Sequence, residues 1–189
     1  MALSIICPLY KAEKYIDNLD MSLKRQLKVD IKEIKYIVTE CHEDKTIEKL
    51  KNINAKYKVI KAEDFSHSLT REKAVYEAEG DIIVFITQDI IIKSDMWLYN
   101  LTNSIKKGVC EASFSKQICT EKTIERYTRM NNYPDESRVV SKKDIDKLGI
   151  MTYFYSDASS AIRKDVFVKL NGYDGKNLLT NEDMYIAYK

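Results

Sequence analysis

The sequence predicts an α/β domain built around a central, mostly parallel sheet. Short β-branched runs, clearest in Ile82-Ile83-Val84-Phe85-Ile86, alternate with stretches whose apolar residues recur at helical spacing. A length of 189 residues suits one domain with one sizeable core. Polar residues gather just after the apolar runs, where open α/β sheets bind their ligands.

Leu3-Ser4-Ile5-Ile6-Cys7 reads as a buried first strand closed by Pro8, because proline cannot donate to a ladder. Tyr15, Ile16, Leu19, Leu23 and Leu27 mark one face of a helix between about Ala12 and Leu27. Ile34 to Val38 is a second strand, followed by a polar bend from Thr39 to Asp44, a helix from Thr46 to Ile53 and a third strand, Tyr57 to Ile60. Ser66-His67-Ser68 opens a helix that runs toward Gly80. Ile82 to Ile86 is continuous and β-branched, as a central strand covered on both faces should be. Beyond it come a helix from Met96 to Ile105, a strand from Val109 to Phe114, and a helix or ordered excursion from Glu121 to Asn132. Tyr133 to Ser137 is a loop, and Ser137 to Lys147 is a charged flap or solvated surface. Met151 to Tyr155 reads as a strand and Arg163 to Leu170 as a short helix. Gly172 and Gly175 bracket a turn, and a new helix starts near Asn181. With Lys189 inside that helix, the expectation is a single domain over 1–189 that is truncated at its C-terminus.

Thirty-one basic and 29 acidic residues leave a formal charge of +2, which provides no electrostatic footprint for nucleic acid. Thirteen tyrosines combine apolar area with a polar tip and suit either a saccharide or nucleotide site or semi-buried packing. Cys7, Cys41, Cys110 and Cys119 form no CxxC pair and read as free thiols of a reducing compartment. No signal-peptide pattern and no stretch of membrane-spanning length is visible. The expected location is cytoplasmic, with peripheral membrane contact through a further C-terminal region left open.

Pro8 and Tyr10 follow the first strand, Glu40 and Asp44 the second, and Thr87-Gln88-Asp89 the central one. No GxGxxG, GxxxxGK[ST] or GxSxG is present, so dinucleotide, P-loop and hydrolase-elbow readings lose their main support. Asp89, directly after a central strand, suits a divalent cation held against a diphosphate, or else the cap of a turn. Glu182-Asp183 offers a general base for a hydroxyl, or else a favourable charge at a helix start. His67 and Arg71 are spaced i,i+4 near a helix N-terminus and could face an anion together; a salt bridge is the alternative for Arg71.

Several segments together resemble the inverting family 2 of glycosyltransferases, which have the GT-A fold, a Rossmann-like three-layer sandwich. Ser4 to Tyr10 resembles the family's first strand and the loop beneath the nucleotide. Ile37 to Thr46 resembles its VVDDGSTDxT segment, with Glu40 on the second acidic position and Thr39 replacing the first aspartate. Phe65 to Ala74, then Ala78-Glu79-Gly80-Asp81, resembles the helix with an Arg-Asn pair, here Arg71 and Glu72. Thr87-Gln88-Asp89 stands at the metal-binding DxD without its first aspartate. Ala158 to Phe167 and Gly172-Tyr173-Asp174 resemble the acceptor-side region, and Asn181-Glu182-Asp183 the late acidic motif. The style of these motifs, with Trp97-Leu98 following, is closest to bacterial rhamnosyltransferases.

The resemblance implies a metal-dependent inverting transfer for cell-surface polysaccharide synthesis, with dTDP-L-rhamnose as the first candidate donor. Asp183 would be the catalytic base and Asp89 the ligand of Mg2+ or Mn2+. Pro8, Tyr10, Glu40, His67, Arg71, Gln88 and Asp89 would line the nucleotide-sugar site, with Trp97 and Glu182 on the acceptor side; core packing is the plainer role for Trp97. The acceptor would be a saccharide or lipid-linked saccharide. The alternatives are a UDP- or GDP-sugar donor, or a non-catalytic nucleotide-sugar-binding or scaffold domain.

Overall fold

The computed structural model describes residues Met1–Lys189. Six strands form one sheet: β1 (Leu3–Leu9), β2 (Ile31–Thr39), β3 (Tyr57–Ile60), β4 (Ile82–Ile86), β5 (Ala112–Phe114) and β6 (Ser159–Arg163). Their spatial order is β3-β2-β1-β4-β6-β5. β1 to β4 pair in parallel, while β6 runs antiparallel to both β4 and β5. The helices are α1 (Ile16–Lys24), α2 (Thr46–Asn52), α3 (His67–Tyr76), α4 (Trp97–Lys106), α5 (Ile124–Asn132), α6 (Ile145–Leu148), α7 (Lys164–Lys169) and α8 (Glu182–Tyr188). None is long and apolar enough to cross a membrane.

The period-2 alternation of the central strands divides the core into two layers. Leu3, Ile5, Cys7, Leu9, Ile82, Val84 and Ile86 face α1, α2 and α4, whose Leu19, Leu23, Leu50, Leu98 and Leu101 complete one cluster. Ile6, Ile37, Ile83, Phe85 and Ile162 face the other way, onto Ala74 and Val75 of α3, Phe167 of α7 and Ile186 of α8. Each fully buried Leu, Ile or Phe contributes about 1.5–3 kcal/mol. The expected three-layer sandwich is therefore present.

Gly80 sets how closely the turn before β4 approaches β1. A Cβ there would lie 2.5 Å from the Ser4 nitrogen, and the Gly80 N–H instead donates to Ser4 Oγ at 2.8 Å.

Several sequence expectations are corrected. β1 does not stop at Cys7 but continues through Pro8 to Leu9. The Leu3 N–H donates to Asp30 on the β2 side, and the Ala2 carbonyl accepts from Ile82 on the β4 side. Alternation along the strand therefore turns Pro8 toward β4, beyond the last β1–β4 pair, Ile6 with Phe85. Its missing donor costs the ladder nothing. α1 ends at Lys24, leaving Leu27 exposed, and β5 starts only at Ala112. Met151 to Tyr155 is not a strand: a 3-10 turn spans Gly149–Tyr153. The aromatic residues that favour a strand there pack instead, with Phe154 and Tyr155 edge-on to Phe114. The last strand is Ser159–Arg163, whose small residues hide the usual β signal. The charged stretch from Ser137 to Lys147 carries a short capped turn in which Ser141 and Asp144 satisfy each other's backbone.

Candidate active site at the strand ends

The carboxyl ends of β1, β2 and β4 open on one rim, and the antiparallel β6 brings its amino end there, with Ser159 opposite Ile86. Asp157, just before β6, therefore arrives beside the loop after β4, and the Thr87 N–H donates to the Ala158 carbonyl. Sequence reasoning missed Asp157, because Ala158 to Arg163 was not read as a strand. Had it been, the preceding carboxylate would have fallen on the rim.

Four charged residues meet behind this rim. Arg71 of α3 is 5 % exposed, and its Nη1 donates to Glu182 Oε1 at 3.1 Å and to the His67 carbonyl at 2.8 Å. Its Nε is buried without a hydrogen-bond partner, 4.0 Å from Asp157 Oδ2. Asp157 accepts from the Tyr173 hydroxyl at 2.9 Å and the Ser160 hydroxyl at 3.1 Å. Burial pushes its carboxyl up to about 6; Arg71 opposes the shift and Asp183 adds to it. Asp183 is half-buried at the start of α8, and its Oδ1 accepts from the Met184 N–H at 2.8 Å. Desolvation raises its pKa above the ordinary carboxylate value, with Glu182 adding to the rise, while N–H donors from Met184 and Asp157 and the charge of Arg71 oppose it.

The remaining predicted residues fall into distinct groups. Asp89 is exposed after β4 and makes no side-chain hydrogen bond or ion pair. Glu40 is exposed at the end of β2. Tyr10 is exposed after β1, and Pro8 is half-buried below it. Gln88 is engaged with the loop after β1: its Oε1 accepts from the Tyr10 N–H at 2.8 Å and its Nε2 donates to the Tyr10 carbonyl at 2.9 Å. This amide extends the β1–β4 ladder past Pro8. Arg71 and His67 do not share an anion-facing surface. Arg71 turns inward to Glu182, whereas His67 is exposed and packs edge-on against Phe65. Trp97 packs half-buried against the core, its Nε1 donating to Ser115 Oγ at 3.2 Å. Glu182 is buried in the pair with Arg71.

No three ligating side chains cluster anywhere in the chain. The exposed, unpartnered Asp89 nonetheless fits a cation of the Mg2+ type, which is commonly held by one or two carboxylates together with substrate phosphates. A cavity of about 410 Å³ lies between the segment after β5 and α5, lined by Lys116, Gln117, Arg126 and Arg129 among others. Gln117 Nε2 donates to Ser156 Oγ at 2.8 Å, which joins the cavity wall to the residue before Asp157.

Residues 4–170 match the family model described as glycosyl transferase family 2. The match ends before Glu182 and Asp183. The chain is 32 % identical over 195 residues to the O-antigen chain rhamnosyltransferase RfbN of Salmonella typhimurium, covering 100 % of this chain and 60 % of that protein. It is 34 % identical over 132 residues to the O-antigen chain rhamnosyltransferase WbaN of Salmonella anatum, covering 68 % of this chain and 42 % of that one. This chain thus spans about half the length of the curated relatives it matches. Among solved structures, S. aureus TarS 1-349 in complex with UDP-GlcNAc superimposes with a TM-score of 0.69 at 21 % identity, over 99 % of this chain and 52 % of that one. The glucosyl-3-phosphoglycerate synthase of Mycobacterium tuberculosis, with Mn2+, UDP-glucose and phosphoglyceric acid, superimposes with a TM-score of 0.60 at 14 % identity, over 88 % of this chain and 57 % of that one. These likenesses establish the shared GT-A fold.

Proposed function

The chain belongs to glycosyl transferase family 2, and from that premise we propose that it transfers a sugar from a nucleotide-sugar donor to a saccharide or lipid-linked saccharide, with inversion, in polysaccharide synthesis. The observation that supports this reading is the set of carboxylates near the strand ends: Asp89 follows β4, Asp157 precedes β6 and lies 4.0 Å from Arg71, and Asp183 starts the helix whose Glu182 pairs with Arg71. Likeness to two O-antigen rhamnosyltransferases favours dTDP-L-rhamnose as the donor. The four free thiols suit a reducing, cytoplasmic setting.

Asp183 takes the proton from the attacking acceptor hydroxyl. A carboxylate whose pKa lies nearer the working pH is the stronger base, and desolvation moves Asp183 in that direction. Glu40 and Tyr10 border the nucleotide base from the ends of β2 and β1. The cavity joined to Ser156 receives the acceptor. Asp89 would hold Mg2+ or Mn2+ against the donor diphosphate, where the cation would neutralise the charge that leaves with the nucleotide.

Calorimetric titration of dTDP-L-rhamnose, UDP-glucose and GDP-mannose, each with and without Mn2+, tests the donor site. The expected result is metal-dependent binding of dTDP-L-rhamnose that disappears in Asp89→Ala. Binding that is unchanged by Asp89→Ala removes the metal role from that residue. No binding of any donor by the folded chain points to a non-catalytic domain.

A further inference from the structure

The stretch that leads into α8 is fastened to α3 by a set of side-chain bonds that stand apart from the rim. Glu72 is 7 % exposed and makes no ion pair, and a buried carboxylate is costly unless hydrogen bonds replace its water. Those bonds come from a turn: Glu72 Oε1 accepts from the N–H groups of Tyr173 at 2.7 Å and Gly175 at 3.4 Å. Asn171, Gly172, Asp174 and Gly175 all have positive φ, between 48° and 64°. Such successions turn N–H groups to one side and form an anion-binding concavity. The turn therefore closes on Glu72 as an internal anion. Only glycine fits at its centre, since a Cβ on Gly172 would stand 2.6 Å from Glu72 Oε1.

One helical turn earlier, the Ser68 hydroxyl donates to the Lys176 carbonyl at 2.7 Å and accepts from the Leu178 N–H at 2.9 Å. The Ser66 hydroxyl donates to Asn177 Oδ1 at 2.7 Å. Arg71 then receives Glu182, the neighbour of Asp183. Three residues of α3 and its N-cap, Ser66, thus register the chain from Tyr173 to Glu182. From the far side, Lys189 Nζ, just after α8, donates to the Gly172 carbonyl at 3.1 Å and to Asp174 Oδ1 at 2.6 Å, which ties the turn to the end of α8.

We propose that Glu72 and Ser68 are positioning residues: by holding the Asn171–Leu178 stretch on α3 they set where Asp183 stands relative to the acceptor hydroxyl. The proposal rests on the reading of Asp183 as the general base. Neither side chain reaches the rim, so both act through the backbone they bind.

The test is steady-state hydrolysis of dTDP-L-rhamnose to dTDP and rhamnose by the whole chain, with water standing in for the acceptor hydroxyl, followed by dTDP release, alongside calorimetric donor affinity and melting temperature. Asp183→Asn, Glu72→Ala, Glu72→Gln and Ser68→Ala are compared with the parent. A displaced base slows the chemical step without weakening donor binding. Glu72→Ala and Ser68→Ala should therefore each lower kcat by about tenfold or more, with KM and donor Kd changed by less than about threefold. Glu72→Gln keeps the accepting oxygen and should hold kcat within about threefold of the parent. Parental kcat in folded Glu72→Ala and Ser68→Ala overturns the proposal, as does a loss confined to KM. If Glu72→Ala does not fold, Ser68→Ala decides by the same criterion. Turnover that survives Asp183→Asn instead overturns the base assignment, whatever the other variants do.

Discussion

Arg71 and Glu182 lie 111 residues apart in sequence, yet their side chains meet at 3.1 Å in the interior, where both residues are less than a tenth exposed. This contact joins the helix after β3 to the helix that carries Asp183. A buried pair costs most when only one member is removed, because the other keeps its charge without a partner. Arg71→Ala should destabilise the chain by about 3–5 kcal/mol in urea unfolding. Arg71→Met combined with Glu182→Leu should recover much of that loss. A double variant as unstable as the sum of the singles would mean that the two residues do not act as a pair.

Asp157 makes stability depend on pH. Its carboxyl titrates at about 6 in the folded chain and near 3.9 when unfolded, so protonation favours the folded state. That contribution is fully present below about pH 4 and is lost as the pH rises through 6, at a cost of roughly 3 kcal/mol. Asp157→Asn removes the titration, so the parent should lose stability relative to this variant between pH 4 and pH 7. Parallel stability profiles for the two proteins, from urea unfolding across that range, would contradict the expectation.

The Gln88 amide makes two hydrogen bonds to the Tyr10 backbone, each contributing about 0.5–1.5 kcal/mol. Gln88→Ala should lower stability by about 1–2 kcal/mol and weaken donor affinity by loosening Tyr10. Gln88→Glu keeps the acceptor but loses the donor, and should fall between the two. Unchanged affinity and stability in Gln88→Ala would leave the amide without the role its geometry gives it.

Gly80→Ala forces a methyl against the Ser4 backbone, where neither strand can give way. A loss of about 1–3 kcal/mol or more is expected, seen as a lower urea midpoint at unchanged slope. A stability equal to the parent's would show that the turn before β4 can shift.

The parts of the fold set by local periodicity were legible in the sequence. β3 and β4 fall where the apolar runs put them, and the Ser66 cap starts α3 as expected. β6 was not legible, because Ser159, Ser160 and Ala161 owe their burial to neighbours distant in sequence rather than to their own character. The same blindness hid Asp157. Asp89, Glu40 and Asp183 could be named from motifs; Glu40 follows β2, Asp89 follows β4, and Asp183 lies in the first turn of α8. The engagement of Gln88 and Arg71 could not be foreseen: their partners, Tyr10 and Glu182, lie 78 and 111 residues away.

The Gln88–Tyr10 bond has a consequence for the shape of the cleft. β1 leads on toward β2 and β3 on one side, whereas β4 leads toward β6 and β5 on the other. Such a topological switch point leaves the two loops parting above the sheet, and ligands of α/β proteins settle in that gap. Here a single side-chain amide spans it. The gauge of the gap is therefore the length of one residue, so Asn at 88 would have to draw the loops together by a methylene or let them go. Cleft width can thus change by single substitutions that leave the ladder beneath intact.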